Sequence, residues 1–114
     1  MAWLDKLNKE IITIIFYHAT DYKNMNNIFV NGIKRGPEGF IYLCKNPDEA
    51  ARFVVIRGVR KIVSIAVDID GRKVKESHDH NEAFFKCKAY TYNNDISASQ
   101  IVLEECIKYD LDNK

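Results

Sequence analysis

The feature that most restricts the fold is an apolar run near the start of the chain, Ile11 to Phe16, which continues into polar residues. Its β-branched and aromatic residues favour a buried central strand, and the run is too short to cross a membrane or to form a long helix. His18, Ala19 and Thr20 follow where the strand leaves the core, and sites are often built at strand ends. The run therefore predicts a strand over Ile11–Thr20 with a site at its C-terminal end.

Length and charge set further limits. The 114 residues fit a single domain, 1–114, in which residues 1–10 can form an accessory N-terminal helix because Trp3, Leu4 and Leu7 have helical spacing. A net charge of +1 produces no field that would by itself imply binding to nucleic acid or to a membrane. We expect a monomer with no membrane association.

The cysteines and the N-terminus bear on location. Cys44, Cys87 and Cys106 are odd in number and lack the close pairing of a zinc site, so we expect reduced, intracellular thiols. The first residues mix lysines with Asp5 and Glu10 and contain no apolar segment before a cleavage site, which argues against a secretory signal. These observations predict a cytoplasmic protein.

Periodicity and turn signals divide the remaining chain into strands and helices. Asn46 as N-cap and Pro47 at the first helical position form the clearest helix start. The predicted elements after the first strand are a helix from Asp21 to about Val30, a strand Phe40–Cys44, a helix from Pro47 to about Arg57, and strands Lys61–Ile69, Ala83–Tyr92 and Ile101–Tyr109, with loops at Lys34–Gly39 and Lys75–Asn81. This order favours a small α+β domain with a split, mainly antiparallel sheet and short helices.

Three short motifs follow one another in a suggestive order. They are Phe16-Tyr17-His18-Ala19-Thr20, the segment Ile28 to Ile33 around Asn31-Gly32, and Phe40-Ile41-Tyr42-Leu43 before an Asn-Pro-Asp-Glu-Ala helix start. The succession resembles the ADP-ribosyltransferase superfamily, with a layout similar to bacterial DNA ADP-ribosyltransferases and RNA 2′-phosphotransferases. The resemblance covers roughly Phe16 to Leu103 and implies an ADP-ribosyltransferase-like fold, NAD as substrate, and transfer of ADP-ribose to a protein or nucleic acid.

The resemblance also implies roles for particular residues. His18 would contact the adenosine ribose, the Ala19 main chain would hold the nicotinamide amide with Thr20 beside it, and Tyr42 would stack on the nicotinamide ring. Glu82 would bond the nicotinamide-ribose 2′-hydroxyl. These residue types suit the chemistry, because a carboxylate stabilises the oxocarbenium-like sugar left when nicotinamide departs, and an aromatic face binds a pyridinium cation.

The sequence departs from the family pattern at two motif positions. Ala19 replaces the usual glycine, and His80 stands where arginine-specific relatives carry a second glutamate or glutamine. Glu104 and Glu105 compete with Glu82 for the catalytic role. His78 and His80 could share a face towards a metal, but no third ligand is in view, so we expect no metal site.

Three functions follow from the sequence. The first is an NAD-dependent transferase. The small size of the chain would fit a phage or mobile-element effector that acts on a host protein. The second is an RNA 2′-phosphotransferase-like enzyme, which needs several arginines at a phosphate; Arg35 and Arg52 are the candidates, and Arg35 is also expected to bind the cofactor. The third is a catalytically silent module that binds a nucleotide or partner and inhibits a host protein.

Overall fold

The computed structural model of the chain describes residues 13–77 and 88–112. Within these residues the strands are β1 (Thr13–Asp21), β2 (Ile41–Leu43), β3 (Lys61–Asp70), β4 (Val74–Ser77), β5 (Ala89–Tyr92) and β6 (Ile107–Asp110), and the α-helices are α1 (Met25–Asn31) and α2 (Pro47–Val55). The predicted helix over residues 1–10 lies outside the described part of the chain, as does most of the predicted strand before Ala89.

The described strands form two three-stranded sheets in which every neighbouring pair is antiparallel. One has the order β1-β3-β6 and the other the order β2-β5-β4. In the first sheet His18 lies opposite Ile65, and Thr20 lies opposite Val63. The prediction of an α+β domain with a split antiparallel sheet and short helices is therefore confirmed.

β3 is the central strand, and both of its faces are buried. The predicted apolar face, represented by Val63 and Val67, packs in a core that also receives Phe16 of β1 and Leu43 of β2. Ile62 points to the opposite face and packs against α2. Each fully buried aliphatic side chain of this kind contributes roughly 1.5–3 kcal/mol to folding, so β3 anchors both layers of the domain.

α2 begins as its sequence predicts. Asn46 accepts main-chain hydrogen bonds from Asp48 and Glu49 at 2.8 and 3.3 Å, and Pro47 occupies the first turn. Two contacts hold this end to the first sheet. The Ser64 hydroxyl donates to the Pro47 carbonyl at 2.7 Å, and the Tyr109 hydroxyl donates to the Asp48 carboxylate at 2.5 Å. The helix ends at Val55, two residues before the predicted limit.

The predicted helix after β1 is shorter than expected. A 3₁₀ turn occupies Tyr22–Asn24, and the α-helix starts only at Met25. The turn forms because the Asp21 carboxylate caps the Lys23 amide at 3.0 Å, which tightens the chain before α1 can begin. Gly32 ends the helix, as predicted, with a φ of 79°.

Two predictions for the later part of the chain are wrong. The predicted loop Lys75–Asn81 begins inside a strand, because Lys75–Ser77 belong to β4, which pairs with β5. The predicted strand Ile101–Tyr109 is interrupted by a 3₁₀ turn at Leu103–Glu105, and only Ile107–Asp110 is a strand. The interruption arises because the main-chain amide of Ala66 in β3 donates a hydrogen bond to the Cys106 sulfur, at 3.3 Å. In a continuous strand this amide would instead have bonded a main-chain carbonyl.

Candidate functional site

A cleft opens where β1 separates from β2. Tyr17 and Cys44 exchange two main-chain hydrogen bonds of 2.7 and 2.9 Å, which join the two sheets at this point. The next residues of β1, His18 and Ala19, line a cavity of about 510 Å³ together with residues of β2, α2 and the Lys34–Gly39 loop. This volume suits a small-molecule ligand. The cleft therefore lies at the strand end where the sequence predicts a site.

His18 is tied directly to Tyr42 across this cleft. Its Nδ1 lies 3.0 Å from the Tyr42 main-chain oxygen, which links the end of β1 to β2. Burial lowers the pKa of His18 below its ordinary value; the bond to the Tyr42 carbonyl acts in the opposite direction, and the charge of Arg57 lowers the pKa further. The imidazole is consequently neutral at pH 7, so it can take part in hydrogen bonds without carrying charge.

One wall of the cleft is aromatic. The rings of Phe40 and Tyr42 meet edge to face, with centroids 5.0 Å apart and planes at 87°. Phe53 of α2 also lines the cleft. Tyr42 is half-buried and lines the cleft. Such a wall can pack against a planar heterocycle, and aromatic faces also attract cationic rings.

The described residues that line the cleft include three charged side chains. Lys34 and Glu38 come from the loop, and Arg57 comes from the turn after α2. The Arg57 side chain makes no hydrogen bond or ion pair with any residue in 13–77 or 88–112, and its charge acts on His18. Two cations and one anion give the cleft a net positive charge, which favours a negatively charged ligand.

Two predicted ligand-binding residues lie elsewhere. Arg35 is not among the residues that line the cleft. It holds the base of the loop, because its main-chain amide and its Nε bond the Asp95 carboxylate at 2.8 and 3.1 Å, and its guanidinium reaches the Asn93 carbonyl at 3.2 Å. Thr20 lies beyond the cleft lining and accepts a hydrogen bond from Asn24 at 2.9 Å.

None of the three glutamates considered for the catalytic role is found in the described lining of the cleft. Glu82, the predicted catalytic residue, lies outside the described residues, as do His78 and His80. Glu104 and Glu105 are exposed in the 3₁₀ turn before β6 and do not line the cleft. No cluster of three metal-ligating side chains occurs among the residues that the structure describes.

Sequence reasoning did not assign Phe40, Phe53 or Arg57 to the site. A signal for each was present. Phe40 precedes Tyr42 by two residues, which places both side chains on one side of an extended segment. Phe53 and Arg57 are four residues apart, the spacing that brings side chains to the same face of a helix. What the pattern could not supply is the direction in which α2 presents that face.

Comparison of the chain with models of known protein families and with curated proteins yields no match. Among the helices of residues 13–77 and 88–112, none combines the length and the apolar character needed to cross a membrane.

Proposed function

We propose that the cleft binds NAD and that the protein transfers ADP-ribose from it to a macromolecular acceptor, a protein or a nucleic acid. The observation that carries this proposal is the convergence of His18, Ala19 and Tyr42 on one cleft, with His18 bonded to the Tyr42 main chain. These are the residues to which the resemblance assigns NAD binding. They come from two strands in separate sheets, so their meeting depends on the fold as well as on the motifs.

The charges and ring surfaces of the cleft match the parts of NAD. Lys34 and Arg57 suit its diphosphate, whereas the Phe40–Tyr42 pair suits the planar nicotinamide. A pyridinium cation binds an aromatic face more strongly than the neutral nicotinamide that leaves, so this wall holds the substrate and releases the product. His18 would hold the adenosine ribose as a neutral hydrogen-bonding group.

The chemical step is assigned to Glu82 by the resemblance. As the bond to nicotinamide breaks, positive charge develops on the ribose, and a carboxylate close to it stabilises charge that exists only near the transition state. Nicotinamide leaves with the electrons of that bond, the acceptor forms its new bond to the anomeric carbon, and the proton of the acceptor passes to water. Glu38, the carboxylate of the described cleft lining, is the alternative if Glu82 has no role.

NAD binding tests the first half of the proposal. We expect His18→Ala and Tyr42→Ala each to weaken NAD binding measured by calorimetry, with little change in the thermal midpoint, because both side chains are only half-buried. Tyr22→Ala is the matched control, since Tyr22 is 37% exposed and lies away from the cleft lining. Equal loss of affinity in the control, or early melting of both cleft variants without a binding defect, would refute the assignment.

An assay of ADP-ribose transfer tests the second half of the proposal. The protein incubated with NAD labelled in the adenylate and with cell lysate should place label on protein or nucleic acid. Glu82→Gln keeps shape and hydrogen-bonding capacity but removes the negative charge, so the rate should fall by about two to three orders of magnitude. NAD affinity should change little, because only one ground-state hydrogen bond is altered. Full activity in this variant would exclude Glu82, and binding without transfer would identify a silent module.

A second candidate is the RNA 2′-phosphotransferase-like reaction. Arg57 favours it, because this cation lies in the cleft beside His18 and could hold a phosphate. Arg35, one of the two arginines expected for that role, is engaged with Asp95 instead. A 2′-phosphorylated RNA separates the two functions, since this enzyme would consume NAD only when that RNA is present.

A further inference from the structure

β6 forms one edge of the first sheet. The opposite edge, β1, is bridged to β2, whereas β6 has β3 as its only strand partner among residues 13–77 and 88–112. The Leu111 amide donates to the Arg60 carbonyl at 2.9 Å, and bonding alternates along an antiparallel ladder. The main-chain groups of Lys108 and Asp110 therefore point away from β3. An edge of this kind is a template for pairing with another strand.

The side chains of this edge form a pattern that is complementary to itself. The sequence is Ile107-Lys108-Tyr109-Asp110-Leu111, with opposite charges on either side of the tyrosine and an apolar residue at each end. A lysine on an edge strand usually discourages pairing. Reversing the direction of this strand, however, exchanges the lysine with the aspartate and keeps the tyrosine in the middle. A second copy that runs antiparallel therefore presents the counterion of each charge.

Charge selects one register for this pairing. If Lys108 lay opposite Lys108 of a second copy, or Asp110 opposite Asp110, like charges would face each other directly, which is destabilising. When each Lys108 lies opposite Asp110 of the other copy, both charges are paired and the main-chain groups that point outward can bond each other. This register also places Ile107, which is 40% exposed, opposite Leu111.

The contacts of the two charged side chains are compatible with this register. Lys108 and Asp110 lie on one face of the sheet, opposite Val63 and Lys61 of β3. The Lys108 ammonium lies 5.4 Å from the centroid of an exposed tyrosine ring, and its flexible stem can turn it to a neighbouring carboxylate. The Asp110 carboxylate accepts the main-chain amide of Asp112 at 3.0 Å, and a carboxylate has acceptor positions for further bonds.

We propose that the protein forms a symmetric dimer in which the β6 strands of two copies pair antiparallel, Lys108 opposite Asp110, and join the two first sheets into one. Two copies related by a twofold axis use the same surface, as this self-complementary edge requires. The dimer replaces the monomer expected from the sequence. Lys108, Tyr109 and Asp110 do not line the cleft, so the inference is independent of the proposed function.

Sedimentation velocity measures the association. A pair of short strands makes a small interface, so we expect a Kd of roughly 1–100 µM and a change from monomer to dimer between about 1 µM and 1 mM protein. Wild type that stays monomeric over this whole range would overturn the proposal.

Charge reversal tests the register. Lys108→Asp and Asp110→Lys each place like charges opposite each other in the dimer, so each should raise Kd about tenfold or more. Lys75→Asp is the matched control, because it makes the same change of charge at an exposed position of β4 in the other sheet, and it should keep the wild-type Kd. A Kd for Lys108→Asp equal to that of the control would overturn the proposal.

A mixture of the two charge variants separates pairing from folding. In the mixture the two acidic side chains of the Lys108→Asp protein meet the two basic side chains of the Asp110→Lys protein. We expect a heterodimer with about the wild-type Kd or a lower one, at concentrations where each variant alone is monomeric. Misfolding of either variant could not produce this result. A mixture that associates no better than its separate components would overturn the proposal.

Discussion

Gly32 is the position where a single added methyl group should cost most. It ends α1 with φ 79° and ψ −172°, a conformation essentially restricted to glycine. A Cβ built there would lie 2.1 Å from the Ile96 carbonyl oxygen and 3.0 Å from the Ala98 amide nitrogen. Both neighbours are main-chain atoms, so no side-chain rotation can relieve the clash.

The cost of Gly32→Ala has two parts. Backbone strain contributes about 1–3 kcal/mol. The clash adds to this, because moving Ile96 breaks the paired hydrogen bonds between Ile33 and Ile96, both 2.8 Å long and each contributing about 1 kcal/mol. We therefore expect a loss of roughly 3–5 kcal/mol in the free energy of unfolding, which lowers Tm by on the order of 10–20 °C.

Urea denaturation followed by circular dichroism measures this loss. Gly58→Ala is the matched control, because Gly58 also has a positive φ, 91°, but an added Cβ meets no atom within 4 Å. That variant should lose only the strain of about 1–2 kcal/mol. The difference between the two variants isolates the contact with Ile96. A Gly32→Ala variant no less stable than Gly58→Ala would refute the reasoning.

Two further predictions concern the loop at the cleft. Amides of the Lys34–Gly39 loop should exchange more slowly when NAD is bound, because a ligand in the cleft would add contacts to a turn that the main-chain bonds from Gly36 to Phe40 and from Gly39 to Gly36 close; equal exchange rates would contradict this. The main-chain amide of Arg35 and its guanidinium hold the pKa of Asp95 below its usual range, so this bond stabilises the fold above about pH 4 and is lost as the pH falls further. Asp95→Asn should therefore have a lower free energy of unfolding than wild type at pH 7, measured by urea denaturation. The difference between the two proteins should become smaller in acid, and a difference independent of pH would show that the charge is not involved.

The parts of the fold that the sequence predicts correctly depend on local signals. The alternation from Lys61 to Ile69 marks β3, and Asn46 with Pro47 marks the start of α2, because period and capping act over a few residues. The strand at the end of the chain was predicted wrongly because its outcome depends on a distant residue. Cys106 bonds Ala66, 40 positions earlier, and no local pattern contains that contact.

The same distinction applies to the site. His18 and Tyr42 were placed by the motifs that contain them, and both line the cleft. Arg35 was chosen because it stands in a glycine-rich basic loop, but it bonds Asp95, which is 60 residues away, and it does not line the cleft. Arg57 was one cation among several in the sequence, and only the direction of α2 brings it to the cleft.

The two hydrogen bonds that attach α2 to the first sheet both lie at its first turn. Its first turn is fixed through Pro47 and Asp48 to the central and edge strands of one sheet, whereas Ile56, just beyond its other end, is 54% exposed. Over the roughly 12 Å of the helix, a tilt of about 5° about the fixed end moves the far end by about 1 Å and the first turn hardly at all. A tilt of this size would thus move Arg57, two residues beyond the helix, more than any residue of the first turn, and would change its distance from His18.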